Sequence, residues 1–260
     1  MRLDETVAAA AGVTRSRARA LIMAGRVRVG GRPATKPGMS IASDVSLDVE
    51  RARTYVSRGG EKLEAALAAF SLDVTGMRAL DVGASTGGFT DALLAHGVAH
   101  VTALDVGYGQ IALPLRDDPR VAVVERTNFR LLKPGALGEP FGLVTIDASF
   151  ISVVTLIARA RAFLIDDGSM VALVKPQFEA GPRRLGGGGV VRDGEVHRAI
   201  LREVRDAIGM LGLVPIALTP SVLRGPAGNI EFFTLVRRRG VAYDDGAIQA
   251  ALAAAPRSAR

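Results

Sequence analysis

The sequence predicts an α/β fold: a doubly wound sheet of mostly parallel strands, preceded by a small α+β unit. Three observations lead to it. Short β-rich runs alternate with helical segments along most of the 260 residues. Hydrophobic residues make up 48% of the chain and 30 glycines are spread among them, which supplies a packed core and is unlike a disordered protein. At roughly 150 residues per domain, the length allows about two domains, and basic residues crowd the first fifty positions.

The elements follow in order. Leu3 to Ala11 reads as an Ala-rich helix stopped by Gly12. Thr14 can cap a second helix from Arg15 to Ala24, with Ala18, Leu21 and Ile22 on one face and Gly25 at its end. The alternation Arg26-Val27-Arg28-Val29 runs into Gly30-Gly31, a hairpin signal, and a short strand from Val45 to Val49 closes the unit. Arg15, Arg17, Arg19, Arg26, Arg28, Arg32 and Lys36 lie within it, and Arg15 and Arg19, four apart, share a helix face. With a net charge of +7 and a pI near 10.5, this crowding favours an anionic partner over an ordinary solvated face.

The polar stretch Arg51 to Arg58 lacks periodicity and reads as a linker. The expected domains are residues 1–53 and 61–240, with 54–60 between them and a tail at 241–260 that holds a short Ala-rich helix and a basic end. In the second domain, Leu63, Ala66, Leu67 and Phe70 mark a helix within Glu61 to Phe70. Strands are expected at Ala79–Val82, Val101–Val106, Val121–Val124, Leu143–Ile146, Val171–Val174, Leu213–Leu218 and Phe232–Val236. Helices are expected at Gly88–His96, Ile151–Phe163 and Glu195–Leu211.

Several classes fall away. The chain has no cysteine, which excludes disulfides and thiolate metal sites. His96, His100 and His197 make no ligand spacing and read as surface residues, so no metal is expected. The opening Met1-Arg2-Leu3-Asp4-Glu5 turns acidic before any apolar run, and Phe141–Ile146 and Met170–Val174 are too short to cross a bilayer. A soluble cytoplasmic protein with no membrane partner is expected.

The segment Leu80-Asp81-Val82-Gly83-Ala84-Ser85-Thr86-Gly87-Gly88-Phe89 leaves a strand, turns through glycines and enters a helix, where open α/β sheets bind nucleotides. Its spacing is not the dinucleotide fingerprint, since position 85 is Ser85, and it lacks the Gly-Lys-Ser/Thr of a phosphate loop. A nicotinamide-dependent dehydrogenase is thereby disfavoured. Asp81, directly before the loop, suits a cationic sulfonium and not a pyrophosphate. Asp105, ending the next strand, can accept both ribose hydroxyls. A glycine turn that binds nothing is the other reading of the spacing; loop and Asp105 together favour an adenosyl ligand.

Four charged residues flank these strands. Lys175 follows Met170–Val174 and precedes Pro176, Asp147 ends Val144–Ile146, Lys62 lies early in the helix after the linker, and Glu231 opens the last strand. Asp147 also reads as a turn or cap residue. A lysine at a buried strand end needs a partner. A lysine whose pKa is lowered by desolvation and a second lysine, positioned by carboxylates, suits removal of a proton from a ribose hydroxyl during methyl transfer. The glycine-rich segment Gly181 to Gly189, with Arg183 and Arg184, reads either as a mobile basic loop over an RNA backbone or as a plain connection.

The motifs Ser57-Arg58-Gly59-Gly60-Glu61-Lys62-Leu63, Asp81 through Asp91, Thr145-Ile146-Asp147-Ala148-Ser149-Phe150, Val174-Lys175-Pro176-Gln177-Phe178-Glu179, Gly189-Val190-Val191-Arg192-Asp193 and Gly228-Asn229-Ile230-Glu231-Phe232-Phe233 together resemble the TlyA (hemolysin A) family of ribosomal RNA 2′-O-methyltransferases. Its catalytic domain is similar to the FtsJ-type ribose methyltransferases. The resemblance implies a Rossmann-like methyltransferase domain, S-adenosylmethionine as cofactor, ribosomal RNA or ribosomal subunits as partner, and a tetrad of Lys62, Asp147, Lys175 and Glu231. It implies that Asp81, Gly83, Ala84, Ser85, Thr86, Gly87, Gly88, Phe89, Asp105 and Asp147 form the cofactor site, with Phe150 holding the adenosyl group and Asn128 near the adenine. The first unit resembles the RNA-binding domain named after ribosomal protein S-four, although Gly30 stands where that hairpin commonly carries Asn. Arg15, Arg17, Arg19, Arg26, Arg28, Lys36 and, in the linker, Arg58 are then the RNA-binding candidates, and RNA docking is expected to reorganise the linker next to Lys62. The alternatives are an RNA-binding protein with a degenerate cofactor site and a membrane-active hemolysin, for which the sequence offers no lytic helix.

Overall fold

The computed structural model describes residues 1–23, 25–42, 45–49, 55–181 and 184–256, apart from the side chains of residues 17 and 20. It divides into two compact units, Met1–Thr54 and Tyr55–Arg260. The linker candidates 51–54, Ala24 at the end of the second helix, and Arg183 lie outside the described residues, as does the side chain of Arg17.

In the first unit, helices α1 (Leu3–Ala11) and α2 (Arg15–Met23) pack on a small antiparallel sheet of β1 (Val27–Val29), β2 (Arg32–Pro33) and β3 (Leu47–Val49), in the order β2-β1-β3. Leu3, Val7, Ala18, Leu21, Ile22 and Val27 form its core. Val29 pairs with Arg32 across Gly30 and Gly31, whose φ values of 58° and 76° are the two left-handed positions a tight hairpin requires. Asp4 is fully buried and takes bonds from Arg2 and Arg15, each at 3.1 Å. The hydrogen bond from Arg2, supported by Arg15, holds its carboxyl down at about 2 against the opposing effect of burial. Arg15 also meets Glu5 at 3.0 Å. Its guanidinium therefore stitches α2 to α1, with half of the side chain still exposed. Arg19, Arg26, Arg28 and Lys36 remain exposed.

The second unit is ordered α3 (Arg58–Ala69), β4 (Arg78–Val82), α4 (Gly88–Ala95), β5 (His100–Leu104), α5 (Leu113–Arg116), β6 (Val121–Val124), β7 (Phe141–Ile146), α6 (Val153–Ala160), β8 (Leu164–Val174), α7 (Pro176–Glu179), α8 (Gly194–Met210), β9 (Val214–Pro220), β10 (Phe232–Arg237) and α9 (Asp245–Ala254). The sheet runs β6-β5-β4-β7-β8-β10-β9; β6 to β8 are parallel, and β10 lies antiparallel between β8 and β9. One hydrophobic core, with Phe141, Ile146, Ile157 and Ile200, fills one side of the sheet. The other, with Leu63, Phe89, Leu93 and Phe233, fills the opposite side under α3 and α4.

Besides shifts of one to three residues at other ends, three boundaries differ from the sequence reading. Arg58–Gly60 belong to α3, not to a linker: Ser57 caps the helix by accepting from the Gly59 amide, and the Tyr55 ring packs where a Gly60 Cβ would stand. β8 begins at Leu164, seven residues before the expected Val171: β7 and β10 both pair back to Ser169, and Phe141 of β7 pairs with Leu164 across a register shift that spans the polar Asp166-Asp167-Gly168. Residues 241–256 are no free tail. Helix α9, capped by Asp244, buries Ile248 and Ala251 against the core, and Arg202 and Arg205 reach Asp245 at 2.6 and 2.8 Å. His197 is buried, not on the surface; desolvation lowers its pKa, and its Nδ1 lies 2.8 Å from the Asp193 carbonyl.

Candidate active site

The sheet topology brings the tetrad residues together. β7 and β8 are parallel neighbours, so Asp147 and Lys175, each one residue past a strand end, emerge side by side. β10 runs the other way beside β8, with Phe232 opposite Val174, so Glu231 arrives at the same edge. Lys175 Nζ stands 2.6 Å from Asp147 Oδ1 and donates to Ser149 Oγ at 3.1 Å. On α3, Lys62 Nζ donates to Glu231 Oε2 at 2.5 Å, with side-chain exposures of only 8% and 1%. The buried pair is Lys62–Glu231, while Lys175 and Asp147 keep 11% and 24% of their side-chain surface.

Next to Asp147 opens a cleft of about 460 Å³, within the range of small-ligand sites. Gly83, Ser85, Asp105, Asn128, Asp147 and Phe150 line it, with Leu104, Val106 and Gln110. Asp105 accepts the Ser85 amide at 2.8 Å and the Gly107 amide at 2.7 Å, one on each oxygen, which fixes the carboxylate with lone pairs left for hydroxyls. Asn128 uses its carbonyl oxygen on the Arg130 amide at 3.1 Å, leaving its NH₂ as a donor. A fixed carboxylate, an amide and an apolar wall fit a nucleoside, and these residues could hold an adenosyl group.

The other loop residues stand behind this lining. Asp81 is fully buried, and both its oxygens accept hydroxyls, from Thr90 at 2.8 Å and Thr145 at 2.9 Å. Ala84 and Phe89 are buried, and Phe89 packs 5.9 Å from Phe233. Thr86 is exposed, and neither it nor Gly87 lines the cleft. Two glycines serve packing: a Cβ on Gly83, at φ 84°, would lie 2.2 Å from the Asp147 carbonyl, and one on Gly88 would lie 2.2 Å from Ser57 Oγ. Sequence reasoning missed Ser149, Thr90 and Thr145 as partners. Thr145 is opposite Asp81 in the β4–β7 register, a relation no local motif reports. Arg184 is held by Glu203 through two contacts of 2.8 Å, so its cation is already paired.

A family model described as FtsJ-like methyltransferase matches residues 55–238, and one described as S4 domain matches residues 1–44. A Mycobacterium tuberculosis protein named 16S/23S rRNA (cytidine-2'-O)-methyltransferase TlyA is 48% identical over 231 residues, covering 87% of this chain and 86% of that protein. The chain belongs to the TlyA family. Another TlyA, from Campylobacter jejuni and named 23S rRNA (cytidine-2'-O)-methyltransferase, is 33% identical over 180 residues, 69% of each chain. A solved structure from Streptococcus thermophilus, described as a hemolysin, superposes with a TM-score of 0.74 at 38% identity and covers 97% of this chain and 94% of that one. Among the described residues, no helix of this TlyA-family chain is long and apolar enough to cross a membrane.

Asp81 gives the TlyA-type loop a pH signature. Burial pushes its carboxyl up to about 6 against the hydroxyl bonds from Thr90 and Thr145, and the charge of Asp147 adds to the rise. An unfolded aspartate titrates near about 3.9. Between these values the folded state keeps a proton that the unfolded state has lost, so this group's contribution makes stability fall as pH rises from about 4 to about 6. Asp81→Asn is expected to lack that fall, which is worth on the order of 2–3 kcal/mol. Urea unfolding of both proteins at pH 4, 5, 6 and 7 checks it; parallel profiles would show that Asp81 is ionised in the fold.

Proposed function

We propose that the chain transfers a methyl group to the 2′-hydroxyl of a ribose, that of a cytidine, in ribosomal RNA of the small subunit, the large subunit or both. S-adenosylmethionine, when bound in the cleft, supplies the methyl group on a positively charged sulfur. The observation that carries the proposal is the Lys175–Asp147 contact of 2.6 Å at the edge of that cleft. A ribose hydroxyl is a poor nucleophile that must be oriented and must lose its proton as the new bond forms. As a neutral amine Lys175 orients the hydroxyl and takes its proton, becoming an ammonium beside Asp147, while Asp147 and Ser149 hold its Nζ in place. The Lys62–Glu231 pair fixes α3 against β10 beside it. Asp105 and Asn128 bind the ribose hydroxyls and the adenine of the cofactor, and Phe150 flanks the adenosyl group.

Arg19, Arg26, Arg28 and Lys36 on the first unit, and Arg58 on the second, hold the RNA backbone, in the cytoplasm where ribosomes are found. Such contacts make binding strongly salt-dependent. The test incubates the purified protein with unmodified ribosomal subunits and labelled S-adenosylmethionine, and maps 2′-O-methyl groups. Label on a cytidine ribose is the expected result. Uptake on a base, or none on either subunit or its free RNA, would overturn the assignment.

A further inference from the structure

Lys175 runs directly into α7, and this short turn grips residues 147–153 at three points. Lys175 meets Asp147 and Ser149. The Phe178 ring stands 5.0 Å from that of Phe150. Glu179 accepts the Ser152 hydroxyl and the Val153 amide, each at 2.7 Å. Between the first and last of these grips, Phe150 sits at φ 63° with 91% of its surface exposed. A bulky residue in the left-handed region persists only where the chain on both sides is held.

Glu179 is the outer of these grips. Ser152 is the N-cap of α6, yet its side chain makes no capping bond to its own helix. The Glu179 carboxylate takes the first-turn amide instead, where the helix dipole favours a negative charge. Burial raises the Glu179 carboxyl above its ordinary value in spite of both bonds, so the group is drawn inward at a cost that those bonds offset.

We infer that Glu179 is a positioning residue for methyl transfer, holding the segment from Asp147 to Ser152 so that Asp147 meets Lys175 and Phe150 stands at the mouth of the cleft. The inference rests on the methyltransferase reading above and deepens it. It separates Glu179 from an ordinary helix cap, which would contribute stability and leave the rate of the folded enzyme alone.

The full-length protein, E179A, E179Q and S152A are compared by amide hydrogen exchange and by methylation kinetics on ribosomal subunits. In E179A, exchange across residues 147–153 is expected to quicken and kcat to fall, each by about tenfold, with KM for RNA within about twofold. E179Q can still accept from the Val153 amide and donate to Ser152, so it recovers most of the rate. S152A, which loses only one bond, moves about threefold in the same direction and decides the matter if E179A does not fold. E179A, or a folded S152A standing in for it, with wild-type kcat overturns the inference, whether or not its exchange quickens. Should the wild-type protein methylate nothing, the proposed reaction fails, and exchange across residues 147–153 still decides whether Glu179 holds the segment.

Discussion

Lys175→Ala is expected to slow methyl transfer by about 10²- to 10⁴-fold, the range for loss of a positioned proton acceptor. Affinity for S-adenosylhomocysteine should move by less than about threefold, because Lys175 does not line the cleft and its contacts are to Asp147 and Ser149. Lys175→Arg separates charge from proton transfer. It keeps a cation beside Asp147, yet a guanidinium stays protonated and cannot accept the proton, so it should be nearly as slow as the alanine variant. Single-turnover rates with labelled cofactor, paired with calorimetric titration, give both quantities. An arginine variant with close to wild-type rate would mean that Lys175 acts as a charge and not as a base.

Glu231→Ala carries the second large effect, on stability as well as rate. Its partner Lys62 is 8% exposed, so removing the carboxylate strands a cation in the interior. Breaking such a pair from one side costs about 3–5 kcal/mol. For a unit of this size the melting temperature should drop by about 6–20 °C. The double variant Lys62→Met/Glu231→Leu removes both charges together and should regain most of that stability, since apolar replacement of a buried pair is often neutral or better. It should remain inactive, because the pair that fixes α3 against β10 beside Lys175 is gone. Thermal unfolding of the three proteins, with methylation assays on each, tests the cycle. A single variant as stable as wild type would show that water reaches Lys62.

The RNA-binding candidates were legible as a composition, but not one by one. Arg15 and Arg19 look equivalent in sequence, four apart on one helix. Both are exposed, and only the packing of α1 against α2 decides that Arg15 is also tied to the buried Asp4. Arg184 is a similar case: read as a cation on a glycine loop, it is paired with Glu203 of α8.

The sequence by itself determined the alternation of strands and helices, the glycine loop after β4, the acidic ends of β5 and β7, and the charged residues Lys62, Lys175 and Glu231 beside apolar runs. These are local properties: hydrophobic periodicity, turn chemistry and charges at strand ends are written in neighbouring residues. The tertiary structure alone decided how these charges pair, with Lys62 buried on Glu231 and Lys175 on Asp147. That pairing depends on strand order and on the antiparallel insertion of β10 between β8 and β9, which place residues 169 positions apart within hydrogen-bonding distance. It also decided that Asp81 is a buried buttress tied to Thr90 and Thr145, that Gly83 and Gly88 are small for the sake of packing, and that α9 is part of the core. Each of these follows from a register or a close approach between distant segments, and no short stretch of sequence encodes one.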